Sequence, residues 1–198
     1  MTKLTLDDIA DLRAYERERV EFRTRVIALK KRRRVGVGPF TTLVFENRDT
    51  IRFQIQEMAR AEKIISDEGI QTELDVYNPL IPELGSLCAT LFLELTSQDE
   101  LREWLPKLVG IEQAVLLRLG SGPEARDVRC RPDPDHAEQL TRDEITAAVH
   151  YVHFDLDPTE VEALAAGPVA LVVDHPAYQQ EALLGPETVA ELLSDLRG

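Results

Sequence analysis

The stretch Ala148-Val-His-Tyr-Val-His-Phe-Asp-Leu156 runs directly into Asp157-Pro-Thr-Glu160, and that junction decides the fold class. Alternating side chains over 148–156 read as a strand. Asp157 is a helix cap, Pro158 sits at the first helical position, and Glu160 stands three residues past the cap, which together mark a helix start. Val161 and Leu164 give this helix an apolar face, Gly167-Pro168 stops it, and Val169–Val173 is the next strand. Tyr178–Leu184 reads as a further strand and Pro186–Leu196 as a closing helix.

The same order occurs upstream. Leu87–Leu95 is a strand, and Ser97-x-x-Glu100 caps a helix carrying Leu101, Leu105 and Leu108, which Pro106 is expected to kink. Val115–Leu119 and Val128–Cys130 are strands. Glu94-Leu95-Thr96…Glu100-Leu101 echoes Asp155-Leu156-Asp157…Glu160-Val161. Two tandem β-α-β-β units, over 83–132 and 145–185, are therefore expected, forming a mostly antiparallel or mixed sheet in an α+β fold. A right-handed crossover would set the strands flanking each helix parallel or as near neighbours.

Upstream again, an amphipathic helix is expected from Leu6 to Arg33, begun by Thr5 with Asp8 at the acidic cap position. Leu12, Tyr15, Arg19, Phe22, Val26 and Leu29 fall on one helical face. The helix ends in Lys30, Lys31, Arg32, Arg33 and Arg34, favourable for its dipole, before Gly36 and Gly38-Pro39 break it. Phe40–Phe45 reads as a strand. Thr50–Ser66 fits a helix through Ile51, Ile55, Met58, Glu62 and Ile65, although Ile51, Phe53 and Ile55 also alternate like a strand. Asn78-Pro79 and Ile81-Pro82 punctuate a connecting region. The organisation is thus a basic helical region, 1–82, with one short strand, and an acidic α+β body, 83–198.

The composition excludes several classes. The 198 residues are 43% hydrophobic and 30% charged, with two cysteines. That is too apolar for disorder, too poor in cysteine for a disulfide scaffold, and without an apolar run of membrane-spanning length. Cys88 and Cys130 lack CxxC spacing and read as reduced thiols, and no export signal is evident at the start, so a cytoplasmic protein is expected. The net charge of −13 is uneven. Residues 1–66 hold 15 basic and 10 acidic side chains; residues 67–198 hold 8 and 26. The cluster Lys30–Arg34 would suit phosphates. The acidic total and the lack of interleaved aromatics favour docking on the protein's own acidic surface or a twin's.

No Gly-rich phosphate loop, Gly-x-Ser-x-Gly elbow, His-Glu-x-x-His helix or zinc-spaced cysteine set is present in the sequence. Arg19 and Glu62 each interrupt an apolar helical stripe, where an unpaired charge is costly. They are expected to face each other or another polar partner, or Glu62 to serve as a buried ligand or base. His150 shares its strand face with Val152, Phe154 and Leu156; His153 faces the other way with Val149 and Tyr151. His175 ends a strand, and His136 lies in a Pro/Asp-rich loop. His150, His175 and Glu94 together would suit Zn²⁺ or Fe²⁺.

The runs Leu43–Glu62, Glu73–Pro82, Glu103–Ile111, Ala148–Phe154 and Val172–Tyr178 resemble a bacterial family known only as a numbered domain of unknown function. The resemblance covers nearly the whole chain. It implies a cytosolic protein encoded near rubrerythrin-like and iron–sulfur proteins, and it carries no assigned catalytic residue. The expected function is a non-catalytic accessory or interaction protein in an iron or oxidative-stress setting, self-associating through the N-terminal helix. The alternative is an Fe- or Zn-dependent enzyme acting on a small molecule; nucleic-acid binding through Lys30–Arg34 comes third.

Overall fold

A computed structural model describes residues 1–134, 141–142 and 144–198. The chain runs through α1 (Leu12–Arg33), β1 (Arg34–Val37), β2 (Thr41–Glu46), α2 (Arg48–Glu62), α3 (Asp67–Tyr77), β3 (Ser86–Leu93) and α4 (Gln98–Trp104). It continues through β4 (Val115–Leu119), β5 (Arg126–Arg129), β6 (Arg131–Pro132), β7 (Thr141–Arg142), β8 (Ile145–Thr146) and β9 (Val149–Asp155). It ends with α5 (Pro158–Ala166), β10 (Val169–His175), β11 (Tyr178–Leu183) and α6 (Pro186–Arg197). The fold is α+β, and every strand pair among the described residues is antiparallel. No helix among these residues is long and apolar enough to cross a membrane.

The order β-α-β-β occurs twice, as β3-α4-β4-β5 and β9-α5-β10-β11. The caps are as the sequence dictates. Asp157 Oδ1 accepts from the Thr159 and Glu160 amides at 2.7 and 2.9 Å, and Ser97 Oγ accepts from the Glu100 amide at 3.2 Å. The strand arrangement differs from the expected crossover. One sheet has the order β1-β2-β3-β9-β6 and a second has β11-β10-β4-β5. Each helix therefore carries the chain from one sheet to the other, and the leading strands of the two units pair with each other, Thr90 opposite Tyr151. The trailing hairpins do likewise, Leu117 opposite Leu171. The physical reason is burial. Leu87, Leu91 and Phe154 on one sheet must cover Leu117, Leu171 and Val173 on the other, and one flat sheet would leave both faces wet. Pro106 follows the end of α4 rather than kinking it.

The N-terminal region contributes two strands, not one, to the first sheet. Helix α1 stops at Arg33, and the next four residues form β1, with Gly36 inside the strand. Gly38 makes the β1–β2 turn at φ +75°, and a Cβ there would meet Tyr178 Oη at 2.4 Å, so glycine is required twice over. The helix also starts later than expected. Leu6–Asp8 is a single 3₁₀ turn, closed by the Thr5 amide donating to Asp8 at 2.9 Å, and Asp11 caps α1 itself. Between them the buried Gln56 side chain grips Ala10, accepting from its amide and donating to its carbonyl. The Asn47-capped helix at 48–62 agrees with the helical reading of that segment. The region taken as a connection holds α3, capped by Ser66.

Candidate functional site

The five-stranded sheet has two unlike faces. Leu43, Phe45, Leu87, Leu91, Val152 and Phe154 point into the sandwich. The opposite face carries Thr42, Glu46, Thr90, Tyr151 and His153, and α1, α2 and α3 lie over it. Between the helices and this face is a cavity of about 210 Å³. Its floor is Glu46, Thr90, Phe92, Val149 and Tyr151; its roof is Lys30 from α1, Ile51 and Gln54 from α2, Tyr77 from the end of α3 and Leu80 from the 3₁₀ turn that follows it.

Glu46 is the central group. Its residue is only 6% exposed, and Oε1 accepts from Thr90 Oγ1 at 2.6 Å. Among the described residues, nothing donates to Oε2. Burial pushes the Tyr151 phenol up to about 12, with the nearby Tyr77 and Glu46 adding to it, so the hydroxyl keeps its proton. Lys30 differs from the three arginines of the basic run. Arg32 and Arg33 bind Glu191 on α6, Arg33 also grips Asp195 with two hydrogen bonds of 2.6 and 2.9 Å, and Arg34 pairs with Glu94. Lys30 instead lines the cavity, with no ion-pair partner among the described residues.

A wider cleft opens farther along the same face, lined by Lys3, Arg131, His153 and Asp155. His153 Nε2 donates to Asp133 at 2.9 Å, and both residues are buried. Desolvation lowers the His153 pKa despite the carboxylate beside it. Arg131 donates to Asp155 at 2.7 Å, holding that carboxyl below its usual range.

The residues singled out as metal ligands do not converge. His150 Nε2 lies 2.8 Å from Thr146 Oγ1 and 2.9 Å from the Ala147 carbonyl, and burial lowers its pKa. His175 uses both ring nitrogens, Nε2 donating to the Val109 carbonyl and Nδ1 accepting from the Ala177 amide. Glu94 is held by Arg34 on one oxygen and by Thr42 Oγ1 on the other, at 2.7 Å. Each is occupied in a different place, and among the described residues no group of three or more His, Cys, Asp or Glu is arranged to hold a metal ion. His136 lies outside the described residues.

Of the two arms of the expectation for Arg19 and Glu62, Arg19 meets another polar partner, whereas Glu62 is not buried. Arg19 binds Glu57 through two hydrogen bonds of 2.8 Å, and Tyr15 Oη donates to the same carboxylate at 2.7 Å. Helices α1 and α2 run antiparallel, with Glu16 meeting Arg60 and Phe22 meeting Phe53. That register carries Glu62 past the middle of α1, to the last residue of α2, where it is exposed. Both cysteines are free and buried, and burial pushes both thiols up, Cys130 to about 11.

Sequence reasoning passed over Glu46, Thr90, Tyr77 and Tyr151. A signal was available: Glu46 and Thr90 are polar residues on strands whose neighbours are almost all apolar.

No curated protein matches the chain. Among solved structures, a novel protein of unknown function from Burkholderia pseudomallei K96243 is 41% identical, covering 98% of this chain and 100% of its own, with a TM-score of 0.89. The family model described as Protein of unknown function (DUF3501) matches residues 3–196, and the chain belongs to that family.

Proposed function

We propose that the protein is a non-catalytic accessory protein that binds a small polar ligand in the cavity between its three N-terminal helices and the five-stranded sheet. The observation that carries this is Glu46, a largely buried carboxylate that lines the cavity, with one oxygen anchored by Thr90 and the other without a donor among the described residues. A carboxylate oxygen that no protein group donates to offers a ligand a charge-assisted hydrogen bond. The metal-dependent alternative is less well supported, because His175 offers no uncommitted nitrogen and Glu94 no uncommitted oxygen.

The iron or oxidative-stress setting, with rubrerythrin-like or iron–sulfur partners, rests on the family resemblance. Two buried thiols with raised pKa make poor redox groups, so in such a setting the redox chemistry would belong to the partner. Arg32–Arg34 are engaged by acidic residues, which disfavours nucleic acid. The apolar face of α1 is occupied by α2, which leaves the outward Val20 and Ile27 for self-association. The test of the main reading is thermal unfolding against a panel of small polar metabolites. A ligand should raise the Tm of the wild type and not that of Glu46→Gln. Binding that survives this substitution unchanged would sink the proposal.

A further inference from the structure

We infer that the ligand of this cavity is a small aliphatic zwitterion, of the class of valine or leucine, with its ammonium on Glu46 and its carboxylate on Lys30. The inference rests on the cavity being a binding site and adds the chemistry of its occupant. A lysine and a glutamate line the same small space without forming an ion pair with each other. Two opposite charges placed this way can be bridged by a molecule whose single head carries the complementary pair, as the α-carbon of an amino acid does. Ammonium donors satisfy Glu46 Oε2, and the carboxylate receives Lys30 Nζ. The remaining wall is mixed: Ile51, Leu80, Phe92 and Val149 offer contacts to an aliphatic body, while Gln54, Tyr77, Thr90 and Tyr151 keep polar groups on the same wall. Size agrees. A space of about 210 Å³ corresponds to roughly seven water volumes, the scale of an amino acid and well below that of a nucleotide.

Isothermal titration of the full chain tests this with four probes: L-valine, L-leucine, isoamylamine and 4-methylpentanoate. The last two keep the aliphatic body and one charge each. The expected result is binding of at least one amino acid, with both single-charge probes weaker by about tenfold or more. Glu46→Gln and Lys30→Met should each weaken the amino acid by a similar factor while leaving thermal unfolding of the unliganded protein nearly unchanged. Isoamylamine binding as tightly as the amino acids overturns the zwitterion and leaves the cavity reading standing. Neither amino acid binding at millimolar concentration also overturns it, and the metabolite panel then decides the cavity reading separately. Binding that persists in both variants places the ligand elsewhere and overturns both.

Discussion

The two faces of the five-stranded sheet are built from the same strands, yet they do different work. The inner face is apolar apart from His150, which is satisfied locally, and Thr41 at the start of β2, and it packs against a second sheet. The outer face alternates with it residue by residue and carries a carboxylate, two threonines, a phenol and a histidine under a helical cover. Side-chain alternation means that neither face can change its register without exchanging places with the other. Apolar packing is therefore concentrated on the inner side, and the polar side chains are gathered on the outer one.

Four measurements sharpen or break this contrast. The largest effect is expected on the inner face, where Phe154→Ala should cost about 4 kcal/mol in urea unfolding, since it opens a cavity in a core with no room to collapse. A cost below about 1 kcal/mol would mean that the sandwich is not the stabilising layer. Next comes the clamp that holds the helical cover in place. Arg33→Ala leaves the buried Asp195 without its partner and should cost about 3 kcal/mol, with much of it regained on adding Asp195→Leu. Burial pushes the Asp195 carboxyl up against the pull of Arg33, so removing Arg33 shifts it further toward its protonated, neutral form.

A smaller effect is expected on the outer face. Glu46→Gln keeps an acceptor for Thr90 and should change stability by less than about 1 kcal/mol, while abolishing the ligand-induced Tm rise. A large loss of stability instead would assign Glu46 to the scaffold. The smallest effect at neutral pH concerns the histidines, one on each face. Burial lowers the pKa of both His150 and His153 below the ordinary 6.5. The unfolded chain therefore binds more protons than the folded one as pH falls below 6.5, and stability is lost from there down to the folded pKa values. His153→Gln should flatten that part of the pH–stability curve and leave the curve above pH 7 in shape. A wild-type curve that is flat between pH 6.5 and 5 would contradict the burial-driven shifts. Glu57, Glu94 and Asp155, held low by Arg19, Thr42 and Arg131 respectively, add a separate loss in the usual carboxylate range.

Much of this was legible in the sequence. Asp157-Pro158-Thr159-Glu160 and Ser97-x-x-Glu100 mark their helix starts because capping is satisfied within four residues. The opposite facing of His150 and His153 follows from the two-residue period of a strand. The site was less legible, since Lys30, Glu46, Tyr77, Thr90 and Tyr151 come from five elements spread over more than a hundred residues. Arg19 shows the boundary well. Its place in an apolar stripe announces a buried partner, but whether that partner is Glu57 or Glu62 depends on the antiparallel register of α1 on α2, which no local pattern contains.

The sequence by itself determined the α+β class, the repeated β-α-β-β order, the helix caps at Ser97 and Asp157 and the need for the basic run to find acidic partners. All of these depend on contacts within a few residues or on charge totals. Only the tertiary structure decided that each repeat divides between two sheets, that Arg33 is the buried member of its run, and that Lys30 and Glu46 share a cavity. Those outcomes depend on which apolar faces cover one another, a competition among residues far apart in the chain that is settled when the sandwich closes.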